Sequence, residues 1–139
     1  MGQNNNQLSP ELLDGAESDD SVLRGPLQPL GVSPTLYHYA ITRSDIPRGL
    51  QAAQLIHAAG ESARLAASLP PGTHAIALEV HNEAALAALG CALDAARITH
   101  TKIYENDLPY DGQLMGIGIA PLPRSPQLKR LLGGVKLLT

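Results

Sequence analysis

The chain contains no phenylalanine, no tryptophan and a single cysteine, Cys91. Its only aromatic rings, histidine apart, belong to four tyrosines. A core without large rings must be built from Ala, Leu, Ile and Val packed closely, because each ring buries far more area than an alanine does. One thiol excludes an internal disulfide and a multi-cysteine zinc site. No apolar run approaches the roughly 20 residues that span a bilayer. The opening MGQNNNQLSPELL has neither the basic nor the apolar stretch of a secretory signal. The expected setting is therefore cytoplasmic and reducing, with no membrane partner. Charge is also sparse: 10 bases and 13 acids give a formal net charge of −3 over 139 residues, which argues against a strongly basic surface.

The charge is unevenly placed. Residues 1–35 hold five acids and one base among Asn, Gln, Ser, Pro and Gly. Such a segment buries too little apolar surface to offset chain entropy, and a disordered acidic tail is expected there. Residues 36–139 carry nine bases and eight acids and are expected to form one domain.

Within that domain, Leu36–Thr42 and His74–Val80 read as strands. Between them a helix is expected from Arg48 to Ser68, opened by Pro47 and ended before Pro70-Pro71-Gly72. Gln51, Gln54, His57, Glu61, Arg64 and Ser68 form its polar stripe at helical spacing. Asn82 suits the cap of a second helix carrying Leu86, Leu89 and Leu93 on one face. Gly90 within it either weakens the helix or admits a close neighbour. Thr99–Tyr104 and Gln113–Ile119 read as two more strands, joined as an antiparallel hairpin by a loop that ends in Asp111-Gly112. Pro121 and Pro123 are expected to break the chain, residues 126–132 to form a short helix, and residues 135–138 to form a last strand. This order predicts an α/β sandwich of two or three layers around a mixed sheet of four strands, or five if the last one pairs.

The segment Arg43–Ala59, RSDIPRGLQAAQLIHAA, resembles the type 2 (archaeal and eukaryotic-type) peptidyl-tRNA hydrolase family. In that family a strand ending in Arg-x-Asp-Leu/Ile leads through a Gly/Lys-rich loop into a helix beginning Ala-Ala-Gln-x-x-His-Ala. Arg43, Asp45, Gly49, Ala52, Ala53, Gln54, His57 and Ala58 fit that pattern. Gly116–Pro121 looks like the family's Ile-Gly-Pro-Ala-Pro strand end, and Gly134–Leu138 like its Gly-x-Leu-Lys-Leu-Leu ending. The family's lysine ahead of the helix is replaced here by Leu50, and its Ala-Gly-Arg-Thr stretch after the third strand is absent. The chain thus looks like a divergent, bacterial-style member.

The resemblance implies hydrolysis of the ester between a peptidyl or N-blocked amino acid and tRNA, without a metal or other cofactor. That chemistry needs an activated water, oxyanion stabilisation and cations for the RNA backbone. The catalytic candidates are Arg48 for charge stabilisation, Glu105 or Asp107 for the water, and His57 as a base. The alternative for each is a solvated surface residue, and for His57 a half-buried ring bonded to a loop. Gly49, Gln54, Tyr110 and Lys136 are the candidates for binding substrate. Gln54 is more simply read as holding a backbone group of the loop, and Tyr110 either stacks on the terminal adenine or anchors the turn. Arg124, Lys129, Arg130 and Lys136 give mild support for a tRNA partner, and a homodimer is compatible with the sequence. The rival expectation is a catalytically inactive fold serving as a binding or regulatory module. Several residues outside this scheme read as structural or solvated. Gly116-x-Gly118 is read as close backbone packing, not a phosphate loop. Cys91 is read as a buried thiol, and the remaining histidines as scattered on the surface.

Overall fold

The computed structural model describes residues 34–139. The tail expected at residues 1–35 lies outside the described residues, apart from its last two. Eight elements follow in order: β1 (Leu36–Arg43), α1 (Arg48–Ala63), β2 (His74–Val80), α2 (Glu83–Ala95), β3 (His100–Tyr104), β4 (Leu114–Pro123), α3 (Pro126–Leu132) and β5 (Lys136–Leu137). The strands form one mixed sheet in the order β3-β4-β1-β2-β5. Only β1 and β2 run parallel, and they are joined through α1. The other three pairings are antiparallel.

Successive side chains of a strand point to opposite faces, so neighbours on β1 reveal what covers each side. Ile41 packs with Leu86, Leu93, Ile117 and Leu128, the face covered by α2 and α3. Ala40 packs with Ala58 and Ile103, the face covered by α1. The described domain therefore has three layers, helix on sheet on helix. The apolar core lies mainly on the α2 side, where Ile41, Leu86, Leu93, Met115, Ile117 and Ile119 have no accessible surface.

The α1 face is built differently. A methyl group on Gly118 would overlap the Ala58 carbonyl and the Ser62 hydroxyl, and one on Gly116 would sit 3.3 Å from the Ile41 carbonyl. The two glycines let α1 lie almost on the backbone of β4, as the Gly116-x-Gly118 spacing predicts. So close an approach admits only small or slender groups, and the buried residues of α1 are Gln51, Gln54, Ala58 and Ser62. This reverses the amphipathic reading of the helix. The start of its polar stripe faces the sheet, and Ile56 is 73% exposed. The helix also ends at Ala63, short of Ser68. Leu65 and Ala66 donate to the carbonyls three residues back, Ser62 and Ala63, at 3.1 and 3.2 Å. That tighter winding closes the last turn.

The cap expected at Asn82 is in place, and Ser125 supplies another. The Asn82 side chain accepts from the Ala85 amide at 2.9 Å, and the Ser125 hydroxyl accepts from the Leu128 amide at 3.1 Å. Each satisfies an amide that the helix leaves orphaned. Gly90 admits Lys102, whose Cε would lie 3.0 Å from an added methyl. Cys91 beside it is exposed, because the apolar face of α2 runs through Leu89 and Leu93 and leaves position 91 on the outside. β4 continues through Pro121 and Pro123 instead of breaking there. Its pairing with β3 ends at Ile119, so further on it has β1 on one side alone and a missing amide on the free side costs nothing.

Candidate functional site

The end of β1, the entry to α1 and the β3–β4 loop meet at one end of the sheet. Arg43 holds them together. Its Nε and Nη2 donate to the two Asp45 oxygens at 2.6 and 2.7 Å. Its Nη1 donates to Gln113 Oε1 at 2.7 Å and to Glu83 Oε2 at 3.3 Å. The guanidinium lies 5.9 Å from the centre of the Tyr110 ring. Fork-on-fork pairing with a carboxylate is the strongest geometry open to an arginine. The hydrogen bond from Arg43 holds the Asp45 carboxyl below its usual range, and the same bond raises Arg43.

Two glutamines of α1 fix the flanking loops. Gln51 donates to the Ile46 carbonyl at 2.8 Å, pinning the turn that enters the helix. Gln54 donates to Glu105 Oε2 at 2.9 Å. The other oxygen of Glu105 accepts from the amides of Asn106 and Asp107 at 2.9 and 3.3 Å. The loop closes further through Gly112, whose amide donates to the Glu105 carbonyl at 2.8 Å and whose φ of +78° suits a glycine. The side-chain carbonyl oxygens of Gln51 and Gln54 are buried and accept nothing among the described residues.

The residues expected from sequence separate into two sets. Gln54, Glu105 and Tyr110 are brought together here, though Gln54 bonds the Glu105 carboxylate and not a loop backbone group. Asp107 is exposed at the loop's outer side, and it joins the loop through its backbone, its carbonyl accepting from the Tyr110 amide at 3.1 Å. Arg48 and Gly49 lie exposed on the opening turn of α1. His57 is exposed, not half-buried against a loop, and makes no side-chain hydrogen bond among the described residues. Lys136 is not part of this end at all. It sits on β5, at the opposite edge of the sheet from β3, where it pairs in register with Glu79. Four strand spacings separate those edges, about 19 Å.

Sequence reading missed the centrality of Arg43, whose partners Glu83 and Gln113 are 40 and 70 residues away. The signal available was the Arg43-x-Asp45 spacing at a strand end. It also missed a serine–histidine contact: His38 is buried, not on the surface, and its Nε2 lies 2.7 Å from Ser62 Oγ. The Ser62 hydroxyl spends its proton on the Ala58 carbonyl at 2.6 Å. The imidazole must therefore donate to Ser62, the wrong direction for a base activating a nucleophile. Ser62 is also fully buried. Burial holds the His38 imidazole below its usual pKa, so the pair is neutral and structural.

Two cavities, of about 750 and 400 Å³, lie elsewhere on the described domain, and neither is lined by Arg48, Glu105 or Asp107. No group of three or more His, Cys, Asp or Glu side chains among the described residues is placed to hold a metal. No described helix is long and apolar enough to cross a membrane.

No family model matches the chain, and no curated protein matches it. Among solved structures it is similar to a protein of unknown function from Agrobacterium tumefaciens strain C58, at 12% identity and a TM-score of 0.48. The match covers 77% of this chain and all of that one. A likeness at that level carries nothing about function.

Proposed function

We propose that the chain has the fold of the type 2 peptidyl-tRNA hydrolases and uses it as a binding module, without cleaving an ester. The observation that carries this is the state of Glu105. Its carboxylate already accepts three hydrogen bonds, from Gln54 and from two loop amides. These donors commit both carboxylate oxygens to holding the loop and the helix together. Arg43 is likewise committed to Asp45, Gln113 and Glu83. The position of the family's lysine is Leu50, half-buried and uncharged. The charged groups at this end thus tie the loops to the helix, and they line neither of the two cavities described above. N-blocked aminoacyl-tRNA is the test substrate. Release at background by the natural chain, with activity gained in Leu50→Lys, is the expected result. Release by the natural chain that disappears in Glu105→Ala would overturn it.

A second reading keeps hydrolysis, with tRNA as the partner. The Gln54–Glu105 bond favours it, because it fixes a carboxylate against the second turn of α1. In that reading Glu105 orients a water, and exposed Arg48 with the opening amides of the 16-residue helix stabilises the oxyanion. Binding would then weaken with salt, at a log–log slope of roughly −2 to −4 for three or four phosphate contacts. A flat response removes tRNA from the account.

A further inference from the structure

The face of the sheet opposite α1 is not fully covered. Helix α2 lies over β1 and β4, and α3 docks beside it through Leu128, which is 2% exposed. That arrangement leaves Ile76 and Leu78 of β2 as the floor of an open groove of about 750 Å³. Tyr39, Leu132, Val135 and Leu137 also line it, and Leu137 is 65% exposed. The volume falls in the range of small-ligand sites, about 300–1,000 Å³.

The groove's charge has one sign. Arg124 and Lys129 line it, and no acid does. From residue 112 to the last residue the sequence holds four bases and no Asp or Glu. Arg124 has no carboxylate partner among the described residues. Its guanidinium instead rests 4.6 Å over the centre of the Tyr37 ring. Tyr37 is in turn stacked on His74, with ring centres 5.1 Å apart and planes 14° from parallel. The aromatic pair supports the cation at the rim while its donors stay free. An aliphatic trough with a supported, unpaired guanidinium at its rim complements one kind of small molecule, an apolar chain with a single anionic head.

We infer that this groove binds an aliphatic carboxylate, its chain lying on Ile76, Leu78 and Leu132 and its head on Arg124, with Lys129 nearby. None of the residues that line this site belongs to the Arg43–Glu105 end. The site stands whichever way the tRNA assay falls.

The test is a methyl-NMR titration of the full chain with sodium decanoate below its micelle concentration, with decylammonium chloride in parallel. Decanoate should bind saturably, with Kd below about 1 mM. Shifts should concentrate on the methyl groups of Ile76, Leu132, Val135 and Leu137. Arg124→Gln should weaken binding about tenfold, the loss of one charge-assisted contact. Leu137→Glu puts an anion into the trough at an exposed position that the fold does not depend on, and should abolish binding. Decylammonium binding as tightly as decanoate would overturn the inference, as would decanoate binding unaffected by either substitution. Nuclear Overhauser contacts to these methyl groups, in the free protein, from another part of the chain or from a second copy would overturn it too, because the groove would then be an interface already filled.

Discussion

The side-chain amide of Gln54 donates to the Glu105 carboxylate across 2.9 Å, joining the second turn of α1 to the first residue after β3. The bond spans 51 residues of sequence and is the contact between helix and loop on which both functional readings turn. In the binding-module account its purpose is mechanical. Gln54→Ala and Glu105→Gln should each destabilise the fold by about 1–2 kcal/mol. A double-mutant cycle in urea should return a coupling of about 0.5–1.5 kcal/mol. Additive effects would mean that the contact does not hold the loop.

Arg43 is buried at the junction of three segments, while the carboxylates it holds, Asp45 and Glu83, reach solvent. Arg43→Met should cost about 1–3 kcal/mol by chemical denaturation, the range for losing hydrogen bonds made by a charged group. Arg43→Lys should recover only part of this, because an ammonium cannot fork onto Asp45 while also reaching Gln113.

The glycines of β4 give an ordered pair of expectations. Gly118→Ala forces a methyl into the Ala58 carbonyl and the Ser62 hydroxyl, whereas at Gly116 the nearest contact of 3.3 Å asks only for a small shift. Gly118→Ala should destabilise by about 3 kcal/mol and Gly116→Ala by about 1 kcal/mol or less, on the scale of overpacked cores. Thermal melts of the two variants check the order. The reverse order would mean that α1 does not ride on Gly118.

Those glycines also mark where the sequence could and could not be read. Aromatic and aliphatic runs identified the strands, and Asn82 announced its helix, because these signals are local. The burial of Gln51 and Gln54 was not legible. Periodicity assigns polar residues to solvent, and only the tertiary approach permitted by Gly116 and Gly118 turns that face inward. Lys136 shows the same limit from the other side. It follows a motif resembling the family's ending, yet the strand order carries it to the far edge. The hub role of Arg43 rests on Glu83 and Gln113, partners that no short-range spacing reveals.

Acid should act on the fold in two steps whose signs follow from the shifted groups. His38 has its pKa depressed by burial, so the unfolded chain binds its proton more readily than the native one. Stability contributed by neutral His38 is therefore full above its usual pKa of about 6.5 and declines as pH falls below that value, levelling off below the native pKa. Asp45 is depressed by Arg43, so its contribution is present above its usual pKa near 3.8 and is lost as pH falls through the lower native value. Urea midpoints from pH 8 to 2 should show both declines. His38→Gln should flatten the first and Asp45→Asn the second.

Turnover and stability measured together on one variant test the central claim most directly. The natural chain and Glu105→Gln are compared on N-blocked aminoacyl-tRNA and in thermal melts. The account predicts background release from both and a lower melting temperature for Glu105→Gln. Release by the natural chain that vanishes in Glu105→Gln, with the melting temperature unchanged, would contradict it.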